Sequence, residues 1–164
     1  MNGSWRWMRA ARALAIAGAL APITVFTGPA AASDAAAAVI GHVKTVSGPA
    51  WVGPRDAGVA AVVGAPVRVG DTMRTGPAGS LGVTLRDNTV LSFGPRTEFT
   101  IDEFLFEPDR GEARLATSIT RGTLNFISGL IAKMRPEAQT VRTPTGTIGV
   151  RGTHFLVKID DPAQ

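Results

Sequence analysis

The chain has 164 residues, no cysteine and a formal net charge of +4, from 17 Lys and Arg against 13 Asp and Glu. Without cysteine the protein has no disulfide, no thiol nucleophile, no redox pair and no thiolate metal site. Basic residues do not cluster with interleaved aromatics, so the positive charge does not indicate nucleic-acid binding.

Residues 1–32 have the three-part order of a secretory signal peptide: a basic start, an uncharged apolar run of about 14 residues, and small residues at the end. Crossing a bilayer as a helix takes about 20 apolar residues, so we expect cleavage and no permanent membrane anchor. There is no twin-arginine pair, which favours the general secretion route, and small residues between Ala32 and Ala38 offer cleavage sites. The expected location is the periplasm, with an extracellular location as the alternative.

Cleavage would leave about 132 residues, which suits one domain. Residues 1–32 hold three arginines and no acid, so the remainder has 14 basic and 13 acidic residues and is nearly neutral. We divide it into a short linker, residues 33–38, a β domain, residues 39–159, and a C-terminal tail, residues 160–164. Because only about a dozen residues precede the apolar run, we expect no cytoplasmic domain.

Short runs of Val, Thr, Ile, Leu and Phe alternate with Gly and Pro turn signals through the rest of the chain. Gly and Pro make up about a fifth of residues 33–164, against roughly 12% in average proteins. Many short strands with frequent turns predict an all-β domain of about ten strands, arranged as a compact roll, a β-helix-like stack or a sandwich.

Several segments show the period-two alternation of strands. Residues 80–86 and 90–93 predict two strands joined by a tight turn at Asp87-Asn88. Residues 97–101 predict another strand. Residues 147–159 predict a further one, and its second face is apolar enough that we expect both faces to be covered.

By contrast, the apolar residues between 126 and 134 fall at helical spacing, which predicts a short helix near residues 126–135. Gly129 and Pro136 limit such a helix to two or three turns. A strand followed by a loop is the equally weighted alternative.

Three stretches carry recognisable motifs. Residues 41–48 read GHVKTVSG, residues 69–75 read VGDTMRT, and residues 141–157 read VRTPTGTIGVRGTHFLV. They resemble, in turn, the opening strand and turn, the G-D-x-[IL]-x-T motif and the closing T-P-x-x-x-[IV]-x-V-x-G-T-x-F-x-V signature of the FecR domain. That domain is a β-rich module of Gram-negative cell envelopes, and the resemblance spans residues 39–159.

The resemblance implies a non-catalytic periplasmic module for protein interaction and signalling, in the free-standing exported form of the domain. The regulator that gives the family its name also controls a sigma factor through a cytoplasmic segment, which we do not expect here. We interpret the motif residues as structural: a capped turn, an extended lead-in at Thr143-Pro144 to the last strand pair, and a bulge at Gly152. They are Gly70, Asp71, Thr75, Thr143, Pro144, Gly152, Thr153 and Phe155.

The histidines, acids and arginines do not occur in the sequence patterns of known catalytic, metal or anion sites. His42 and His154 are the only histidines and belong to no zinc motif. The densest group of acids, within residues 102–112, matches no calcium loop, and we interpret it as an exposed acidic loop. Arg142 and Arg151 are interpreted as solvated arginines rather than as an anion site. We therefore expect no catalytic residue, no metal and no cofactor.

For the partner we expect an unidentified cell-envelope protein, bound at an exposed sheet edge whose unpaired backbone groups accept a strand. The alternative is a glycan, either peptidoglycan or an exopolysaccharide, with Trp51 and the Phe93/Phe99 region as aromatic platforms. The third and least favoured hypothesis is an enzyme, such as a glycan hydrolase that uses carboxylates within residues 102–112.

Overall fold

The structure is a computed structural model that describes residues 38–150 and 154–160. The predicted signal peptide, most of the linker, the motif residues Gly152 and Thr153, and residues 161–164 lie outside these ranges. The described ranges contain twelve strands: β1 (Val39–Ser47), β2 (Ala50–Gly53), β3 (Val59–Ala60), β4 (Pro66–Arg68), β5 (Thr72–Thr75), β6 (Ser80–Leu85), β7 (Val90–Phe93), β8 (Glu98–Glu107), β9 (Glu112–Ile127), β10 (Gln139–Thr143), β11 (Gly146–Gly149) and β12 (His154–Ile159). They also contain a helix, α1 (Leu130–Met134), and two 3₁₀ turns (Pro108–Arg110 and Pro136–Ala138). In these ranges no helix has the length and apolar character that crossing a membrane requires.

Strand β9 runs through the middle of the fold and belongs to two sheets. Its first part pairs antiparallel with β8 and parallel with β10, whereas its last part pairs antiparallel with β7 and β12. Sheet 1 has the strand order β4-β1-β6-β7-β9-β12. Sheet 2 has the order β3-β2-β5-β8-β9-β10-β11. The two together form one continuous curled sheet.

Alternate residues of each sheet form apolar rows that point into a shared core. One row crosses sheet 1 from β1 to β9 and another crosses sheet 2 from β2 to β9, and each of these side chains is at most 3% exposed. The rows are Val43, Val83, Leu91 and Phe126 in sheet 1, and Val52, Met73, Phe99 and Ile119 in sheet 2. Phe93 of sheet 1 meets Phe99 of sheet 2 with ring centroids 4.9 Å apart, so the two inner faces share one core.

Gly122 is the residue at which β9 passes from sheet 2 to sheet 1. Its φ of +91° lies in the left-handed region that favours glycine. A Cβ at this position would lie 2.3 Å from the Cα of Thr97, so a larger residue requires a backbone shift. The bend of β9 therefore depends on a glycine packed directly against the turn between β7 and β8.

Two buried threonines hold the chain around this bend. The Thr97 hydroxyl donates to the Gly94 carbonyl at 2.8 Å and accepts from the Thr123 N–H at 3.0 Å. The Thr75 hydroxyl donates to the same carbonyl at 2.6 Å and accepts from the Thr97 N–H at 2.8 Å. Hydrogen bonds thus join the end of β5, the β7–β8 turn and the bend of β9, and we call Thr75, Thr97 and Gly122 the threonine junction.

A buried aspartate anchors the segment that leads into α1. The carboxylate of the fully buried Asp87 accepts from the Thr89 N–H at 3.1 Å, the Thr89 hydroxyl at 2.7 Å and the Ile131 N–H at 3.4 Å. Its backbone carbonyl accepts from the Leu130 N–H at 2.7 Å. Gly129 lies so close that a Cβ there would be 2.1 Å from that carbonyl oxygen. The β6–β7 turn therefore sets the position of α1.

The prediction of an all-β domain is confirmed, as is that of one short helix near residues 126–135. The helix is shorter than its apolar spacing predicts, because Phe126 and Ile127 still belong to β9. β6, the tight turn and β7 lie where predicted, with Asn88 at a φ of +66°. Twelve strands replace the expected ten or so, and β8 and β9 are long strands of 10 and 16 residues.

The single strand predicted over residues 147–159 is wrong. Gly149 ends β11, which pairs with β10, and His154 begins β12, which pairs with β9. The outer face of β12 is also exposed, with Leu156 66% accessible, so the expectation that both faces are covered is wrong. The reason is that β12 lies at the edge of sheet 1, where the described residues cover only its inner face.

Replacing Gly122 with alanine should destabilise the fold by about 2–4 kcal/mol, because the new Cβ must displace the Thr97 backbone at a positive φ. Thermal unfolding followed by circular dichroism should show a Tm lower by about 10 °C. Gly146→Ala is the matched control, since open space surrounds that position, and it should change the Tm by less than about 2 °C. Equal losses in the two variants would contradict the role of the bend.

Replacing Asp87 with alanine should cost about 2–4 kcal/mol, because it leaves the N–H groups of Thr89 and Ile131 buried without their acceptor. The free energy of unfolding in urea measures this loss. Asp102→Ala removes a carboxylate whose contact, with Ser118 at 3.2 Å, is exposed, and it should cost no more than about 0.5 kcal/mol. If Asp87→Ala were as mild as Asp102→Ala, the anchoring of α1 by this turn would be disproved.

Candidate functional site

The motif residues Gly70 and Asp71 form a capped turn between β4 and β5. Gly70 has a φ of +86° and donates its N–H to the Ile101 carbonyl at 2.8 Å. The carboxylate of the buried Asp71 accepts a hydrogen bond from the Arg68 N–H at 2.8 Å. The capped turn predicted from the sequence is confirmed, and its contacts tie it to β8.

Thr75 ends β5 and belongs to the threonine junction. The sequence motif identified Thr75, but neither Thr97 nor Gly122 was recognised as its neighbour. No local signal marks Thr97, because it lies 22 positions after Thr75 and meets it only once the intervening chain has folded back. The sequence Gly122-Thr123 is the one local feature that points to a bend in β9. Gly-Thr pairs are too common for this feature alone to predict the bend.

Thr143 and Pro144 lie at the hairpin between β10 and β11. The Thr143 hydroxyl donates to the Gly146 carbonyl at 2.9 Å and accepts from the Gly146 N–H at 3.1 Å. The predicted extended lead-in is correct for Thr143, which ends β10, and wrong for Pro144, which lies in the turn. Proline suits this position because its fixed φ favours the start of a tight turn.

Phe155 lies on β12 and stacks on Phe126 of β9, with ring centroids 4.8 Å apart and an angle of 19° between the planes. This contact attaches the edge strand to the core. The two remaining motif residues, Gly152 and Thr153, lie outside the described residues. Each described motif residue therefore lies in a turn or at a contact between strands, and they do not converge on one pocket.

The two histidines lie at opposite ends of one row across the outer face of sheet 1. The row passes from His42 on β1 through β6, β7 and β9 to His154 on β12, so four strand spacings, or about 19 Å, separate the histidines. A single metal ion cannot bind both. Within residues 38–150 and 154–160, no three His, Cys, Asp or Glu side chains come together as metal ligands.

The acids of residues 102–112 lie on the hairpin of β8 and β9, so the predicted acidic loop is wrong. Both strands continue through this segment because their residues pair in register up to Glu107 and Glu112. Glu103 forms an ion pair with Arg114 at 3.6 Å, and Glu107 forms one with Arg110 at 3.1 Å. Such exposed ion pairs contribute little to the stability of the fold, and these acids lie on the surface of the hairpin.

The aromatic residues divide into buried and exposed ones. Phe93 and Phe99 are 2% and 0% exposed because they form the contact between the two sheets, so their proposed role as platforms for sugars is wrong. Trp51 is 37% exposed on the outer face of sheet 2. Of the aromatic side chains named as platforms, only the indole of Trp51 is available to a ligand.

Among the described residues, four strands lie at sheet edges: β4 and β12 in sheet 1, and β3 and β11 in sheet 2. β3 has two residues, β4 has three and begins with Pro66, and β11 has four, of which two are glycines. Short length, proline and glycine all weaken an edge as a template for a further strand. β12 has six residues with neither glycine nor proline, so it is the edge best suited to strand addition.

The outer face of β12 presents His154, Leu156 and Lys158 to solvent. Leu156 is 66% exposed and lies diagonally across from Ile127, which is 41% exposed on β9, so a small apolar patch borders the edge. A hydrogen bond to the Asp160 carboxylate at 2.8 Å, together with the charge of that carboxylate, raises the pKa of Lys158 above its ordinary value.

The family model described as FecR protein matches residues 71–164 of the chain, a range that contains β5 to β12 and most of the motif residues discussed above. No curated protein and no solved structure matched the chain. The family model supports a signalling or regulatory module in general. Because the match covers more than half of the 164 residues, and its motif residues build the turns and the junction of this fold, the chain belongs to the FecR family.

Proposed function

We propose that this protein is a non-catalytic periplasmic signalling module that binds another cell-envelope protein by accepting a strand of that partner along β12. Membership of the FecR family supports the signalling role. The three-part pattern of residues 1–32 supports export through the general secretion route. In the part of the chain that the structure describes, β12 pairs only with β9. This open edge of six residues, with no glycine or proline, is the observation that carries the proposal.

Strand addition at β12 has a simple physical basis. Backbone N–H and C=O groups of alternate residues point to opposite sides of a strand, so those that do not pair with β9 face solvent. Each hydrogen bond to an added strand contributes about 0.5–1.5 kcal/mol net. Burial of the exposed Leu156 side chain would contribute about 1.5–3 kcal/mol more. An added strand therefore gains both backbone pairing and apolar contact at this edge.

A binding role rather than a catalytic one fits the placement of the reactive side chains. About 19 Å separates the two histidines, and each described motif residue lies in a turn or at a strand contact. The buried carboxylates of Asp71 and Asp87 already accept backbone hydrogen bonds within the fold. These two carboxylates therefore stabilise the fold on which β12 lies.

A pull-down from envelope extract with the full chain tests the proposal. Leu156→Lys adds a charge to the outer face of β12, where it opposes the apolar contact, and it should reduce capture of the partner about tenfold or more. Val59→Lys is the matched control, because Val59 is also 66% exposed but lies on β3. Capture by the control variant should equal that of the wild type.

Two results would count against the proposal in different ways. Undiminished capture by Leu156→Lys, or equal loss with Val59→Lys, would exclude β12 as the docking edge. Recovery of no protein partner under any growth condition would exclude the protein-binding role altogether. Circular dichroism of each variant confirms that any loss of capture reflects the changed surface and not unfolding.

A further inference from the structure

The outer face of sheet 2 carries a polar row that crosses four neighbouring strands. Trp51 of β2 is paired with Arg74 of β5, Arg74 with Glu98 of β8, and Glu98 with Arg121 of β9. We call these four residues the Trp–Arg row. Three strand spacings separate its ends, so the row is about 14 Å long. The residues next to Trp51, Arg74 and Glu98 are buried in the core, which places these three side chains on the solvent side. Arg121 lies on the same face, because its guanidinium forms an ion pair with the Glu98 carboxylate.

Guanidinium groups dominate the charge of this row. Glu98 forms ion pairs with Arg55 and with Arg121, each at 3.4 Å, and its side chain is 18% exposed. A guanidinium has five N–H donors, so both arginines keep free donors while they share one carboxylate. Arg74 forms no ion pair with any residue in the described ranges. Three cations therefore surround one anion.

The side chain of Arg74 is half-buried and extends toward the β2–β3 turn. Its Nη2 atom lies over Gly58, in the β2–β3 turn, where a Cβ would be 3.1 Å away. The guanidinium thus reaches the β2–β3 turn, while Trp51 and Arg74 are cross-strand partners on one surface. An exposed flat ring next to an unpaired guanidinium offers an apolar face and a bidentate anion site together.

A second polar row lies beside the first on β8 and β9 and continues onto β10. Thr100 of β8 pairs with Ser118 of β9, and Ser118 pairs with Arg142 of β10. Thr100 and Ser118 are partly exposed, and Arg142 is exposed. The Thr100 hydroxyl lies 2.9 Å from that of Thr72, and the Ser118 hydroxyl donates to the Asp102 carboxylate at 3.2 Å, so each keeps further hydrogen-bonding capacity. Hydroxyls both donate and accept hydrogen bonds, so the face next to the Trp–Arg row can satisfy a polyhydroxylated ligand.

We propose that the Trp–Arg row binds an acidic polysaccharide in which carboxylate-bearing sugars alternate with neutral ones. The apolar face of a sugar ring packs on Trp51, and carboxylates of the acidic sugars bind the guanidinium groups of Arg74 and Arg121. Hydroxyls of the neutral sugar donate to Glu98, which lies between the two cations. The row is longer than one hexose ring, so it selects a chain over a monosaccharide.

A nucleic acid fits the same surface less well. Every nucleotide carries a phosphate, and binding depends on how many of these charges the protein neutralises. Glu98 in the centre of the row and Asp102 on the same hairpin repel a uniformly charged strand. In a polymer with alternating charged and neutral units, the charged units can face the two arginines. A neutral hydroxylated unit then faces Glu98, so the repulsion is avoided.

This site goes beyond the proposed protein-binding function and is independent of it. The Trp–Arg row belongs to sheet 2, whereas β12 belongs to sheet 1. A failed pull-down would leave the polysaccharide site intact, and a failed titration would leave the β12 edge intact.

Fluorescence of Trp51 gives a direct measurement. The full chain has three tryptophans and no tyrosine, so Trp5→Phe and Trp7→Phe together leave Trp51 as the sole indole. Titration with hyaluronan oligosaccharides, which alternate glucuronic acid with N-acetylglucosamine, should change the emission of Trp51 saturably. Dextran, a neutral glycan, should cause no change, and added salt should weaken the hyaluronan response.

Variants identify the residues responsible. Arg74→Ala should weaken hyaluronan binding about tenfold or more, and Arg74→Lys should weaken it less, because lysine keeps the charge but not the bidentate geometry. Arg110→Ala is the matched control: it removes the same charge from a side chain that is 73% exposed on the β8–β9 turn. Binding by this control should stay within about twofold of the parent. Arg121→Gln tests the other end of the row if Arg74→Ala lowers the Tm.

Three results would overturn the proposal. They are the lack of a saturable response to hyaluronan, an equal response to single-stranded DNA, and equal losses in Arg74→Ala and Arg110→Ala. A response that Arg74→Ala abolishes and Arg110→Ala preserves would establish the row as the site.

Discussion

Strand β9 serves two sheets only because its chain bends at Gly122, directly against Thr97. The bend interrupts regular pairing, so the backbone groups around it need other hydrogen-bond partners. The hydroxyls of Thr75 and Thr97 supply them, and both are directed at the carbonyl of Gly94. The threonine junction thus joins three segments that are remote in sequence. Without this junction, the two sheets would not be held in one relative orientation, and the contact of Phe93 with Phe99 would be lost.

Because the sheets turn their apolar faces toward each other, their outer faces are left free and differ in chemistry. Sheet 1 ends in β12, whose edge and exposed Leu156 suit the strand of another protein. Sheet 2 presents the Trp–Arg row, which suits a hydroxylated, negatively charged chain. The two proposed sites use separate surfaces, so the two proposed ligands would not compete for one face.

The family match covers part of the scaffold and part of the Trp–Arg row. The matched residues 71–164 include Asp71 and Thr75, which are buried and hold the scaffold. Trp51 lies outside that range, on a strand that joins the matched part through pairing with β5. The matched range therefore contains β5 to β12 and three residues of the Trp–Arg row, Arg74, Glu98 and Arg121, whereas β1 to β4 and Trp51 lie outside it.

The sequence by itself determined the all-β class, the hairpin of β6 and β7, the short helix and the capped turn at Gly70-Asp71, because each follows from local alternation or turn chemistry. Only the tertiary structure decided which strands pair, and hence which side chains share a surface. The Trp–Arg row joins residues from four strands, and a shift of one residue in any register would turn its side chain into the core. The burial of Phe93 and Phe99 and the open edge of β12 depend on the same long-range pairing, which period-two alternation cannot specify.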